Sequence, residues 1–169
     1  QMLFGVITVA LISGAIADRA KFAAWMVFVP AWVLLVYAPV AHWVFAFDSA
    51  DGSVKGGWIA NQLGALDFAG GTAVEINSGF SGLALAIIVG QRVGWKREPF
   101  RPHDLPAVLL GAGLLWFGWY GFNAGSALAA NGTAGLALIN TTGSGTAGVL
   151  GWLAVEFIRD RKGTSFGAA

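Results

Sequence analysis

The sequence has 169 residues, of which 56% are hydrophobic and only 11% are charged, and its mean hydropathy is +0.67. This composition excludes an ordinary soluble domain and places the chain among membrane proteins. The absence of cysteine excludes a disulfide framework and cysteine-based metal sites. The net charge of +1 indicates little by itself, so the positions of the ten basic residues carry the information.

Long apolar runs, bounded by charged or turn-forming residues, predict an all-α, polytopic membrane helix bundle. We expect one transmembrane domain over residues 1–169 with five spans near residues 1–17, 23–47, 67–92, 105–131 and 133–158. The second run carries Pro30 and Pro39, which kink helices but are tolerated where neighbouring groups satisfy the freed carbonyls. The linker before the third run includes a mildly amphipathic stretch, residues 56–66, which we expect to lie along the membrane surface.

Lysine and arginine residues are concentrated in alternate loops. The loops after the first, third and fifth runs hold two, four and three of them, whereas the loops after the second and fourth hold one and none. Loops enriched in positive charge face the cytoplasm, so we expect Arg97 inside and Asp67 at the outer face. An odd number of spans with both ends open predicts that the chain is a piece of a larger bundle.

The third run contains two carboxylates that are unusual in so apolar a segment. Glu75 is the only charged residue between Phe68 and Gly90. Because an ionisable group inside a span costs about 2.5 to 3.5 kcal/mol on insertion scales, we interpret Glu75 as functional, the alternative being a neutral glutamic acid bonded to a neighbouring helix. Asp67 lies where the polar linker meets the helix, and an N-cap role explains it without a substrate.

A continuous α-helix through this run would place four residues on one stripe. Asp67, Gly71, Glu75 and Gly79 follow the i, i+4 spacing, which predicts that the acids share a face with positions that lack side chains. On this geometry Glu75 lies about two turns inside the helix, roughly 12 Å from the level of Asp67. Such a face suits the close approach of another helix or of a small ligand.

Some motifs are weak indicators of function. Gly143–Gly148 matches the glycine spacing of dinucleotide-binding loops, but those loops follow a strand in a soluble βαβ unit. Inside an apolar run, the same glycines more simply allow close helix packing. His42 and His103 are isolated, so we expect neither a metal nor a cofactor. A membrane-embedded enzyme that uses Asp67 and Glu75 as an acid/base pair is a further alternative, but no nucleophile motif supports it.

Four longer strings together resemble the ammonium transporter (Amt/Mep/Rh) superfamily, and their order and spacing are those of that family. In chain order they are GAIADRAKF, APVAHWVF, GALDFAGGTAVEINSG and GWYGFNAGSALAAN. The resemblance covers nearly the whole chain. It implies that the five spans correspond to the third to seventh of about eleven, in an inverted-repeat fold that straddles the repeat boundary.

The resemblance also implies how the whole protein works. It would be a multi-pass protein of the plasma or inner membrane and a homotrimer with one pore in each subunit. It would transport ammonium or ammonia, with no enzymatic activity and no cofactor, and a cytoplasmic PII-type regulatory protein would be a partner. A function of another class is an ammonium-sensing membrane domain coupled to a cytoplasmic signalling module. A fused signalling domain after the last span would favour that alternative.

The family's outer vestibule maps onto several residues of this chain. The resemblance implies that Phe4 and Phe122 form the stacked aromatic gate and that the hydroxyl of Ser126 bonds the recruited ammonium. Asp67 matches the family's acid below the vestibule. The chemistry is reasonable because aromatic faces attract a desolvated cation by about 2 kcal/mol, and a hydroxyl oxygen accepts one of its protons.

At two positions the chain departs from the family's pattern. The recruiting tryptophan should close the AHWVF segment, but Phe45 stands there and Trp43 precedes it by two residues, so either ring is a candidate. Glu75 stands where most members have the first of two pore histidines. The resemblance therefore implies that Glu75 belongs to the pore and takes part in proton movement.

The predicted orientation is open to a direct test. In the full-length protein, a cysteine placed at Arg97 should react with a membrane-impermeant thiol reagent only after the cells are permeabilised, because the loop that contains it faces the cytoplasm. Residues 1–169 contain no native cysteine, and the full-length protein without the introduced cysteine measures any background signal. Labelling of position 97 in intact cells would reverse the orientation.

Overall fold

The computed structural model describes residues 1–100 and 103–169, and its regular structure within those ranges is helical. The chain forms two compact units, Gln1–Glu98 and Pro99–Ala169, each of which is described by itself. The helices of the first unit are α1 (Met2–Ile16), α2 (Phe22–Phe45), α3 (Trp58–Asn61) and α4 (Gly71–Val89). Those of the second unit are α5 (Leu105–Gly125), α6 (Gly132–Asp160) and α7 (Ser165–Ala168).

The long helices agree with the predicted all-α class. Of the helices that the structure describes, α2, α4 and α5 are long and apolar enough to cross a membrane. Helix α1 is apolar but has 15 residues, and α6 has 29 residues and carries several hydroxyl side chains. Large apolar residues such as Leu35 and Phe117 are each 77% exposed within the chain, as expected for surfaces that meet lipid or further helices. The crossing of α1 and α6 stays a prediction.

Helix α2 widens into a π-helical turn at Val33–Tyr37, just before Pro39. Because the proline ring clashes with the carbonyl four residues earlier in a regular α-helix, a wider turn at this place relieves the crowding. The turn places Tyr37 in the core, where its ring lies against Gly5 of α1. A Cβ atom at Gly5 would lie 3.4 Å from that ring, which is van der Waals contact, so the two helices pack closely here. The buried core of this unit contains Val9, Ile12, Trp32 and Tyr37.

Charged residues join the C-terminal ends of α1 and α4. The guanidinium of Arg19 donates to the carbonyl oxygens of Ala15 and Gly90. These two residues lie at the C-terminal ends of α1 and α4. Asp18 forms a salt bridge with Arg92 beside them. Free carbonyls at a helix C-terminus carry partial negative charge, so the arginine stabilises both ends at once. Helices α1 and α4 are therefore fixed side by side.

The start of α4 differs from the prediction. The helix begins at Gly71 rather than at Asp67, because Gly70 adopts a left-handed conformation (φ 92°) and the first turn, Gly71–Ile76, is a π turn. Asp67 lies before the helix, and its carboxylate accepts hydrogen bonds from the amides of Gly70, Thr72 and Ala73 at 2.6, 2.8 and 3.3 Å. Asp67 therefore accepts the free amides at the start of the helix, as the capping interpretation expected, but it stands three residues before the N-cap residue, Gly70.

The predicted stripe of alternating acids and glycines is wrong for the same reason. Asp67 is outside the helix, and the π turn shifts the positions that follow it out of α-helical register. Glu75 is the fifth residue of α4, about one turn inside rather than two. The prediction that Glu75 shares a face with Gly79 agrees with the structure, since both residues line the same cleft.

The second unit is built on the pairing of α5 and α6. Asp104 caps α5 by accepting from the amide of Ala107 at 3.0 Å. Helix α5 ends at Gly125, short of the predicted boundary near residue 131, because Leu128 adopts a left-handed conformation (φ 54°) and the chain turns toward α6.

The surface segment predicted over residues 56–66 of the first unit is helical only at Trp58–Asn61.

The glycine-rich run of α6 is part of a helix. Gly143–Gly148 lies within α6, as expected for a packing motif rather than a phosphate-binding loop. At Gly145 a Cβ atom would overlap the ring of Trp116 from α5, so this glycine is required for the observed packing. The other glycines of the run, Gly143 and Gly148, have open space around them in the structure.

The three hydrogen bonds to Asp67 predict an unusually strong cap. We expect Asp67→Ala to lower the stability of the full-length protein by about 1 to 2 kcal/mol or more, because it leaves three amides at the start of α4 without their acceptor. Asp104→Ala is the matched control, since the same substitution there removes a cap with one hydrogen bond and should have the smaller effect. Thermal unfolding in detergent measures both. Equal losses of stability would contradict the prediction.

Candidate functional site

Two of the predicted aromatic residues meet in the first unit. Phe4, near the start of α1, stacks on Phe45, the last residue of α2, with ring centroids 5.7 Å apart and planes inclined by 12°. Gly70 lies beside them, and a Cβ atom there would be 3.6 Å from the Phe4 ring. The loop that Asp67 organises thus lies directly against the aromatic pair.

Trp43, the alternative to Phe45, has a different environment. Its ring packs on Trp58 of α3 with centroids 6.1 Å apart, and the two side chains are 40% and 44% exposed. Asn61 holds this loop in place, because its side chain accepts from the Asp48 amide and donates to the Ala46 carbonyl, each at 2.9 Å. Of the two candidate rings, Phe45 is the one that contacts Phe4.

Glu75 faces an open cleft of about 530 Å³ between α1 and α4. Its walls include Leu11 and Ala15 from α1, and Ser78 and Gly79 from α4. The Oε2 atom of Glu75 is shielded from solvent and has no hydrogen-bond partner among the described residues. A charged carboxylate in that position is strongly unfavourable, so the group requires a proton, a ligand or a donor from elsewhere.

The remaining predicted residues lie in the second unit. Phe122 and Trp119 form an edge-to-face pair with centroids 6.2 Å apart. Ser126, the residue that follows α5, donates its hydroxyl proton to the Phe122 carbonyl at 2.6 Å. A hydroxyl that donates in this way presents its oxygen lone pairs as acceptors. Because the two units are described separately, the proximity of Phe4 to Phe122 and Ser126 stays a prediction.

The sequence interpretation missed a polar pair that joins α5 and α6. The side-chain amide of Asn123 donates to the hydroxyl of Thr141 at 2.6 Å, and Thr141 is only 8% exposed. The Oδ1 atom of Asn123 is shielded from solvent and has no partner in the part of the chain that the structure describes. The available signal was an amide inside an apolar run, but this segment was interpreted through its family resemblance, which assigns roles to Phe122 and Ser126.

Solved structures of two similar proteins superimpose on this fold. Mep2 from Candida albicans superimposes with a TM-score of 0.80 at 35% identity, covering 98% of this chain and 36% of that chain. A structure described as a Sensor Amt Protein superimposes with a TM-score of 0.79 at 29% identity, covering 98% and 41%. The predicted helical transporter fold is therefore confirmed.

Sequence relatives give the same result over the whole chain. An ammonium transporter of Mycobacterium bovis is 61% identical over 169 residues, which are all of this chain and 35% of that protein. One of Bacillus subtilis is 50% identical over 168 residues, which are 99% of this chain and 39% of that protein. The chain thus spans between a third and two fifths of the length of these relatives. The sequence profile of the Ammonium Transporter Family matches residues 1–169, and the chain belongs to that family.

Proposed function

We propose that the longer protein to which this chain contributes transports ammonium across the cell membrane. The observation that carries the proposal is the family match over all 169 residues, together with relatives whose names state ammonium transport. Apolar helices of spanning length support a multi-pass membrane location. The family's relatives are named as transport proteins, which favours transport over catalysis.

Recruitment of the substrate is assigned to the outer aromatic residues. The stacked rings of Phe4 and Phe45 offer π-electron density to a small cation, worth about 2 kcal/mol when the cation is desolvated. Phe45 is preferred to Trp43 because it contacts Phe4, whereas Trp43 packs on the surface loop. Phe122 and Ser126 complete the vestibule in this proposal, with the Ser126 oxygen as the acceptor for an ammonium proton.

Asp67 acts through the structure rather than by binding the substrate directly. Its two carboxylate oxygens already accept three backbone amides, which hold the Gly70 turn against the ring of Phe4. Its negative charge below the aromatic pair also favours the approach of a cation. Asp67 is therefore a positioning residue for the vestibule.

Glu75 carries the proton in this mechanism. Moving an intact ammonium ion through an apolar pore is costly, so a path that separates the ion into ammonia and a proton lowers the barrier. In each cycle the carboxylate of Glu75 takes the proton from ammonium and becomes a neutral acid, while ammonia passes along the cleft beside it. The acid then releases that proton toward the cytoplasmic side, which regenerates the carboxylate for the next ion. The unpartnered Oε2 atom supports this role, because a carboxylate with a fixed structural partner would not exchange a proton readily.

The assembly and its partners follow the family resemblance. We propose a homotrimer in the plasma or inner membrane, with a PII-type protein as a cytoplasmic regulator. A second candidate function is ammonium sensing, and the likeness to the structure described as a Sensor Amt Protein favours it. Flux measurements in liposomes distinguish the two, since a sensor binds ammonium without transporting it.

The role of Glu75 is tested by Glu75→Gln in the full-length protein, reconstituted into liposomes. The substitution keeps size and hydrogen bonding but removes titration, so we expect ammonium-evoked current or uptake to fall at least tenfold while the protein remains folded. The pH dependence of the remaining transport should also change.

The matched control is Glu156→Gln on α6. Glu156 is also a helical carboxylate, but its oxygens accept from Trp152 and Thr164, so it has the structural partners that Glu75 lacks. This variant should transport at the normal rate. If Glu75→Gln transports with unchanged rate and pH dependence at equal protein content, Glu75 is a packing residue and the proton relay is wrong.

A further inference from the structure

We propose that Asn123 supplies a hydrogen-bond acceptor to ammonium or ammonia, and that Thr141 is the positioning residue that orients its amide. The inference rests on the proposed transport function and adds to it a polar ligand group inside the second unit. It is carried by the contact between α5 and α6 and by the unpartnered Oδ1 atom.

The orientation of the Asn123 amide follows from the hydroxyl of Thr141. That hydroxyl donates its single proton to the Ala137 carbonyl at 2.7 Å, one turn earlier in α6. The oxygen of Thr141 therefore acts as an acceptor toward Asn123, and the amide turns its nitrogen to Thr141 at 2.6 Å. The carbonyl oxygen of Asn123 is left pointing away from the side chain that holds the group.

An acceptor left in this state requires a donor from another source. A buried carbonyl without a partner costs about 1 to 3 kcal/mol, so a bound N–H group is stabilised there. Asn123 lines an open cavity of about 490 Å³ whose walls include Trp116, Trp119 and Ser144, and the described residues around it carry no charge. The site thus suits a small donor, and the described residues around it offer no positive charge to an anion.

The location of Asn123 connects it with the proposed path. It follows Phe122 directly and precedes Ser126 by three residues, so the amide and the hydroxyl lie on neighbouring positions of one helix face. Because Oδ1 is shielded from bulk water, an incoming donor must displace a neighbouring side chain. Water, ammonia and ammonium each have a single heavy atom and require the smallest displacement, and of the three ammonium offers the acceptor a charged donor.

The experiment uses the full-length protein in liposomes and measures initial ammonium flux against concentration. Asn123→Leu keeps the approximate shape but removes the acceptor, so the half-saturating concentration should rise about tenfold, as for one hydrogen bond to a charged ligand. Thr141→Val removes the group that orients the amide and should raise the half-saturating concentration about threefold. Thr141→Ser keeps the hydroxyl and should leave the half-saturating concentration at its wild-type value.

Thr142→Val is the matched control, because Thr142 is an exposed neighbour whose hydroxyl bonds to its own helix, at the Leu138 carbonyl. It should leave the half-saturating concentration unchanged. If Asn123→Leu and Thr141→Val lower thermal stability while half-saturation stays at the wild-type value, the acceptor serves the rest of the chain and the inference is overturned. Absence of flux in the wild-type protein would instead refute the proposed transport function, whatever the variants do.

Discussion

The hydrogen bonds that Asp67 accepts at the start of α4 are the interaction on which the first unit depends. They satisfy three amides that would otherwise lack acceptors in an apolar setting, and they stabilise the left-handed turn at Gly70. Gly70 lies against Phe4, which in turn stacks on Phe45. The same turn leads into the π-helical segment that carries Glu75. One carboxylate thus sets both the aromatic pair and the position of the second acid.

A bundle that meets lipid cannot leave polar groups without partners at low cost, so the polar residues that have partners in the structure differ in kind from those that do not. Asp67 and Asp104 are capping groups with identified donors. Within the described ranges, Glu75 and Asn123 each retain a buried oxygen without one. In both cases the atom belongs to a residue that lines an open space, and this is the observation that the two proposals for these residues share.

The sequence was sufficient for the fold class and for the approximate locations of the long helices, because hydropathy depends on composition over whole segments. It was also sufficient for the capping role of Asp67, since a carboxylate between a polar linker and an apolar run stands where a helix N-cap is expected. It failed at the first turn of α4, where a left-handed glycine and a π turn are decided by local contacts. The preference for Phe45 over Trp43, and the pairing of Asn123 with Thr141, depend on contacts between residues far apart in the sequence. Such contacts give no signal until the helices and loops are placed side by side.

The two π turns of the first unit show how the helices present polar groups. One turn, Val33–Tyr37, ends with a buried phenol, and the other, Gly71–Ile76, contains the carboxylate of Glu75. In the described residues, the hydroxyl of Tyr37 and one oxygen of Glu75 both lack a partner. A π turn rotates the side chains that follow it away from the α-helical register, and such turns are frequent at functional sites. Because each turn is held by a local cause, Pro39 in α2 and the Asp67 cap in α4, the polar group is placed by backbone geometry rather than by a hydrogen bond of its own.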